Sequence, residues 1–280
     1  MAAHISTVPH SRLRAMVVPR EHGAWGMMLV PLATGAVIAA RTAVNSNALI
    51  ILLIAALSLF WLRTPLESWL GTSPIKAQTN YEYGLLMKAI VAIGVVAAGN
   101  VAALLWNGHN RGLLIIGGVA ALAFAAQAGV KKLGRKGRMP AQIIGAIGLT
   151  STAACAYYVA TGRLDRTAVA LWLANWLFAA DQIHFVQVRI HSSRAETLGD
   201  KLRPGMGFLA GQTGLIVAII AACRLKVFPA AIVLAFLPIL LRGTIWFARG
   251  RQPLDVHKLG YSELAQALVF GALLCAAFLL

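Results

Sequence analysis

Residues 168–201 read AVALWLANWLFAADQIHFVQVRIHSSRAETLGDK. The first half is apolar enough to lie in hydrocarbon. The second half carries an acid, two histidines, several amides and two arginines with no break in helical potential. A stretch of this kind is a membrane helix whose last turns turn polar, and its reading decides the fold. Similar apolar runs of roughly 20 residues, the length that crosses ~30 Å of hydrocarbon, recur along the chain.

The 280 residues are 59% hydrophobic with a mean hydropathy of +0.74, more apolar surface than a soluble domain of this length can hide. In lipid each backbone group must be bonded within its own segment, so the spans are expected to be helices. The expected fold is an all-α polytopic bundle of nine spans, about 24–41, 47–62, 84–106, 112–128, 140–160, 167–190, 206–223, 227–247 and 261–280. Residues 1–23 read as a cytosolic tail lacking the pattern of a cleaved signal, and 24–280 as one transmembrane domain.

The net charge of +16 raises nucleic acid as a partner. The cations argue against it, because they sit in short segments between apolar runs, as topology signals do. Eighteen Lys and Arg fall in the N-terminal tail and the even-numbered loops, against six in the odd-numbered ones. That asymmetry puts the N-terminus in the cytoplasm and the C-terminus outside. Eight of the nine acids share the cation-rich side, Asp165 being the exception. Chemistry is therefore expected on the cytoplasmic face of a bacterial inner membrane. Cys155, Cys223 and Cys275 lie inside apolar runs, with neither metal nor disulfide spacing, and read as packing residues.

Within the deciding stretch, Asp181, His184, Gln187, His191 and Arg194 fall in one arc at 100° per residue, while Gln182 and Arg189 point elsewhere. Ionisable groups at membrane depth normally face a bundle interior or a wet cavity. Glu196 and Asp200 follow at i, i+4, a spacing that suits Mg²⁺ with phosphate oxygens and water completing the shell. After the second span, LRTPLESWLG (62–71) sets Arg63 against Glu67. GVKKLGRKGRMP (129–140) is a compact basic loop, led by Lys131 and Lys132, that could hold a diphosphate. VPREHGAWGMMLVPLATG (18–35) brings His22 to the start of the first span, and its Gly23 and Gly26 allow close helix approach.

These segments resemble the UbiA superfamily of membrane prenyltransferases, with active loops after spans two and six and a basic loop after span four. DQIHFVQVRIHSSRAETLGDKLRPGM (181–206) is locally similar to heme O synthases, and PREHGAWGMMLVP (19–31) resembles the YwiC-like family of bacterial membrane proteins. The superfamily resemblance implies a prenyl diphosphate, a lipid-soluble acceptor and Mg²⁺. Carried over, Glu67, Glu196 and Asp200 hold the metal. Arg63, Lys131, Lys132, Arg189 and Arg194 meet the diphosphate, and Gln187 and His22 complete the substrate site. Asp181, His184 and His191 orient or deprotonate the acceptor. The superfamily's first acid-rich motif is reduced here to Glu67. A second reading keeps the fold without transfer, His22, His184 and His191 ligating haem or a metal or bonding a quinone head. A third is a small-molecule transporter, although no inverted repeat is visible.

Overall fold

The computed structural model describes residues 10–19, 22–42, 45–108, 110–193, 195, 197–249 and 254–280. The described elements are α1 (His10–Val17), α2 (His22–Ala39), α3 (Ser46–Trp69), α4 (Asn80–Trp106), α5 (Asn110–Lys131), a 3₁₀ turn (Gly134–Gly137), α6 (Arg138–Thr150), α7 (Thr152–Thr161), α8 (Arg166–His191), α9 (Leu198–Arg224), α10 (Ile232–Ala248) and α11 (Val256–Leu279). No strand occurs among the described residues. Seven segments are long and apolar enough to cross a membrane: α3, α4, α5, the α6–α7 run, α8, α9 and α11. Two shorter apolar helices, Gly23–Ala39 and Ile232–Ala248, occupy the expected first and eighth spans. The chain is a multi-pass, all-helical membrane protein. Large apolar side chains such as Val95, Leu122, Val217 and Leu268 stand on its surface, where lipid would meet them.

The helix boundaries follow local chemistry. Thr79 opens α4 with a capping box, its hydroxyl accepting from the Glu82 amide while the Glu82 carboxylate accepts from the Thr79 amide. Thr197 and Asp200 open α9 in the same way. Asp165 and Asp255 cap α8 and α11. A bond from the Lys258 amide holds the Asp255 carboxyl below its ordinary pKa. The expected short second span instead runs on through Pro65 to Trp69. The fifth breaks at Ser151, where the hydroxyls of Thr150, Ser151 and Thr152 turn back onto helix carbonyls and compete with the regular ladder.

The chain divides into two compact units, Ile50–Gly108 with the described residues of Met1–Glu21, and His22–Leu49 with 109–280. In the first, α1 lies on α4 through Met16, Ala77 and Leu86. Arg12 Nε donates to buried Glu82 at 2.8 Å, and Trp61 Nε1 donates to Val17 O at 2.9 Å. Glu82 also accepts from the Gln78 amide, so its charge is met on both oxygens.

In the second unit the closest helix pair is α2 with α7. Gly35 makes it possible, since a Cβ there would run into the Ala153 carbonyl. Thr152 Oγ1 donates across this seam to Met28 O at 2.9 Å. Trp172 and Trp176, one turn apart on α8, donate to Ile147 O and Ile143 O of α6. Phe178 of α8 stacks on Phe270 of α11, ring centres 4.2 Å apart. These contacts hold α8 from several sides and seat its polar residues.

Candidate functional site

Asp181 is buried where α8 meets α9 and α10. Its Oδ1 accepts from Gln212 Nε2 of α9 and its Oδ2 from Arg242 Nη2 of α10 at 3.2 Å. Arg242 Nη1 donates in turn to Glu263 Oε2 of α11 at 2.5 Å. One guanidinium thus bridges two buried carboxylates. Gln182, the next residue on α8, donates to the Glu263 backbone carbonyl at 2.8 Å. Ion pairs enclosed in this way need most of their hydrogen-bonding capacity met, because desolvation otherwise outweighs their attraction.

That capacity is unevenly met. Arg242 Nε, Trp246 Nε1, Glu263 Oε1 and Gln266 Oε1 are all buried and have no hydrogen-bond partner among the described residues. Two are donors on α10, one turn apart. Two are acceptors on α11, also one turn apart. Buried polar groups are rarely left unpaired, so four around one ion-pair centre mark a place where further chemistry fits.

Aromatic rings wall the centre. The Arg242 guanidinium lies 4.0 Å from the Phe185 ring centre. Phe185, Phe208, Trp246 and Phe247 form one buried cluster with Val188. Arg189 and Lys201 lie over the Trp246 ring at 5.7 and 5.0 Å. Lys201 Nζ donates to the carbonyls of Trp246 and Arg249, a cation at the C-terminus of α10 where the helix dipole favours it. Three cations and two carboxylates thus gather around Phe185 and Trp246.

The polar arc expected on α8 is shared among different neighbours. Asp181 faces α9 and α10. His184 is half-buried against α9, its ring edge-on to Phe208, and a Cβ on Gly211 would lie 2.9 Å from its Nδ1. Gln187 turns to α6 and donates to Gln142 at 3.1 Å. His191 is exposed, its Nδ1 bonded to the Gln187 carbonyl at 2.7 Å. The physical reason is that α8 packs on α2, α6, α7, α9, α10 and α11, so its polar residues meet different neighbours. Gln182 and Arg189, expected to point away from the arc, reach Glu263 and Trp246.

The residues expected to bind Mg²⁺ are engaged locally. Glu67 accepts from Arg63 Nε at 2.9 Å in the first unit. Asp200 is committed to the α9 cap in the second. Glu196 and Arg194 lie outside the described residues, as does the side chain of His22. No three His, Cys, Asp or Glu that could hold a metal come together among the described residues. Lys131 ends α5 half-buried and Lys132 follows it exposed.

Arg242 and Glu263 escaped the sequence reading. Arg242 was assigned to the cations of the last cytoplasmic segment, yet it lies inside α10. Its signal was an arginine alone in the apolar run LAFLPILLRGTIWFA (234–248), matched by a single acid in GYSELAQALVF (260–270). Opposite charges embedded in consecutive apolar helices are partner candidates for each other.

A family model for YwiC-like proteins matches residues 18–158, half of the chain. The chain belongs to the YwiC-like family. The match covers α2 to α7, so Asp181, Arg242 and Glu263 lie beyond it. No curated protein and no solved structure matches the chain.

Proposed function

We propose that this YwiC-like protein takes up the oxygen-bearing head of a lipid-soluble ligand at membrane depth, at the centre built by Asp181, Arg242 and Glu263. The observation that carries this reading is the pair of unpartnered donors, Arg242 Nε and Trp246 Nε1, one turn apart on α10 beside an aromatic wall. A carbonyl or quinone-type oxygen satisfies such donors, and Phe185 and Trp246 suit an aromatic or isoprenoid body. The cation-rich segments favour access from the cytoplasmic face of a bacterial inner membrane. His184, half-buried one turn from Asp181, is the group best placed to follow the ligand's protonation.

The test uses the full chain in lipid nanodiscs and a radiolabelled short-chain benzoquinone, with its quinol in parallel. Binding is expected, and Arg242→Lys and Trp246→Phe each weaken it about tenfold, the scale of one lost hydrogen bond to a charged or indole donor. Equal binding by wild type and both variants sinks the assignment to this centre.

Prenyl transfer is the second reading. What favours it is the concentration of Arg189 and Lys201 over Trp246 and Arg242 over Phe185, since a departing diphosphate needs positive charge. Mg²⁺ is the expected ion, although the described carboxylates Glu67 and Asp200 are already bonded within their own segments. Labelled prenyl diphosphate with Mg²⁺ and a quinone-type acceptor should then release diphosphate. If none is released or bound at high Mg²⁺, this reading fails.

A further inference from the structure

We infer that the charged centre is a proton-binding site, with Glu263 carrying the proton on Oε1 and Gln266 accepting the bond it makes. The two oxygens that need a donor are Glu263 Oε1 and Gln266 Oε1, both buried and both without one among the described residues. They sit at i, i+3 on α11, where side chains meet on one face of a helix. Two buried acceptors cannot satisfy each other. One proton placed on the carboxyl turns the pair into a donor and an acceptor, and neither is left unpaired. Exchange of the Gln266 amide oxygen and nitrogen is the one competing arrangement, and it leaves Glu263 ionised, so a neutral-carboxyl signal tells the two apart.

The geometry also says which carboxylate takes it. Asp181 has a donor on each oxygen, Gln212 Nε2 on one and Arg242 Nη2 on the other. Both bonds favour its ionised form. Among the described residues Glu263 accepts from Arg242 Nη1 on Oε2 and has no donor in bonding geometry on Oε1, with the Gln182 amide close to its carboxyl. The proton therefore belongs to Glu263, and Asp181 keeps its charge as the standing partner of Arg242. The charged and polar groups facing Glu263 are Arg242 from α10, Asp181, Gln182 and Arg189 from α8, and Gln266 from its own helix. Gln212 of α9 acts through Asp181. The one ionisable residue of α2 is His22, whose side chain lies outside the described residues.

The two unsatisfied pairs are separated along the helices. Trp246 is one turn from Arg242 toward the α10–α11 connection. Gln266 is one turn from Glu263 away from it. The acceptor pair is then the deeper of the two and is closed by a proton drawn from water. The donor pair nearer the connection stays open to the ligand. Arg242 touches both, so loss of the proton gives Glu263 a second claim on the guanidinium and weakens the donor pair. Uptake and release of the ligand are then linked to protonation of Glu263. This link rests on the proposed ligand reading, while the proton site itself does not.

Infrared spectroscopy of the full chain in nanodiscs reads the proton directly, through the stretch of a neutral carboxyl group at neutral pH. Wild type is expected to show one such band. Glu263→Gln abolishes it and folds as well as wild type, because the amide mimics the neutral acid. Asp181→Asn retains it. Gln266→Leu leaves the band but moves it to the frequency of a free carboxyl. Absence of the band in wild type, its survival in Glu263→Gln, its loss in Asp181→Asn, failure of Glu263→Gln to fold, or an unmoved band in Gln266→Leu each overturns the assignment. The benzoquinone titration is separate: a band without quinone binding refutes only the ligand reading, and quinone binding without a band refutes only the proton site.

Discussion

Arg242 is the residue on which the site depends. Among the described residues it is the one cation bonded to both Asp181 and Glu263, and its removal leaves the Asp181 charge without its partner in a low-dielectric interior. Breaking a buried pair from one side costs about 3–5 kcal/mol, far more than an exposed ion pair contributes. Arg242→Gln should therefore lower the midpoint of thermal unfolding in detergent well below that of Arg63→Gln, whose pair with Glu67 is more exposed. Adding Asp181→Asn to Arg242→Gln removes the stranded charge and should recover most of the loss; no recovery would mean that packing, and not charge, is the cause. Asp181 was legible in the sequence because an acid directly follows an apolar run. Its partners were not, because an isolated Arg or Glu near a helix end looks the same whether it marks topology or pairs across the bundle. Only the packing of α8, α10 and α11 tells these apart.

At the scale of elements, small residues and caps decide where helices meet and begin. Gly35→Ala forces a methyl against the Ala153 carbonyl, backbone that cannot swing away. Overpacking of this kind costs about 1–3 kcal/mol, and α2 and α7 should separate. Gly94→Ala on α4 is the control: a Cβ there meets nothing within 4 Å. Its unfolding midpoint should stay level or rise, since Ala is the better helix former by about 1 kcal/mol. In the first unit, Glu82→Ala removes the acceptor for Arg12 and for two cap amides together. Release of α1, read as faster proteolysis at Arg12 or Arg14 in the folded protein, is the expected result; unchanged cleavage would show that the Met16–Leu86 packing and the Trp61–Val17 bond hold α1 without Glu82. The apolar runs made these elements legible: seven of the expected spans are helices long and apolar enough to cross a membrane, and the expected first and eighth are shorter apolar helices. The break at Ser151 was not legible, because it depends on which hydroxyls take up the freed backbone groups.

For the whole molecule, the open question in physical terms is whether α10 crosses the bilayer. Its 17 residues rise about 26 Å, a few ångströms short of the ~30 Å core. Local thinning accommodates that mismatch at fractions of a kcal/mol per ångström. Arg242 lies six residues before the end of α10 and Glu263 seven residues into α11, which puts both about 9–10 Å inside their helices. Burial of Arg242 against Asp181 and Glu263 fits a depth that is hydrocarbon, because in water these groups would be better solvated apart. We therefore expect α10 to span. Counting crossings at the chain ends cannot assign a change to α10, since loss of any one crossing takes nine to eight. Sidedness across α10 itself can. With Cys155, Cys223 and Cys275 replaced, single cysteines at Leu225 and Val256, both exposed, should react with an impermeant maleimide from opposite faces of sealed vesicles. Labelling of Val256→Cys from the cytoplasmic side would agree with the excess of cations there. Labelling of both positions from one face would make α10 re-entrant and bring Arg242 to the interface, where its pairing would lose most of its energetic weight.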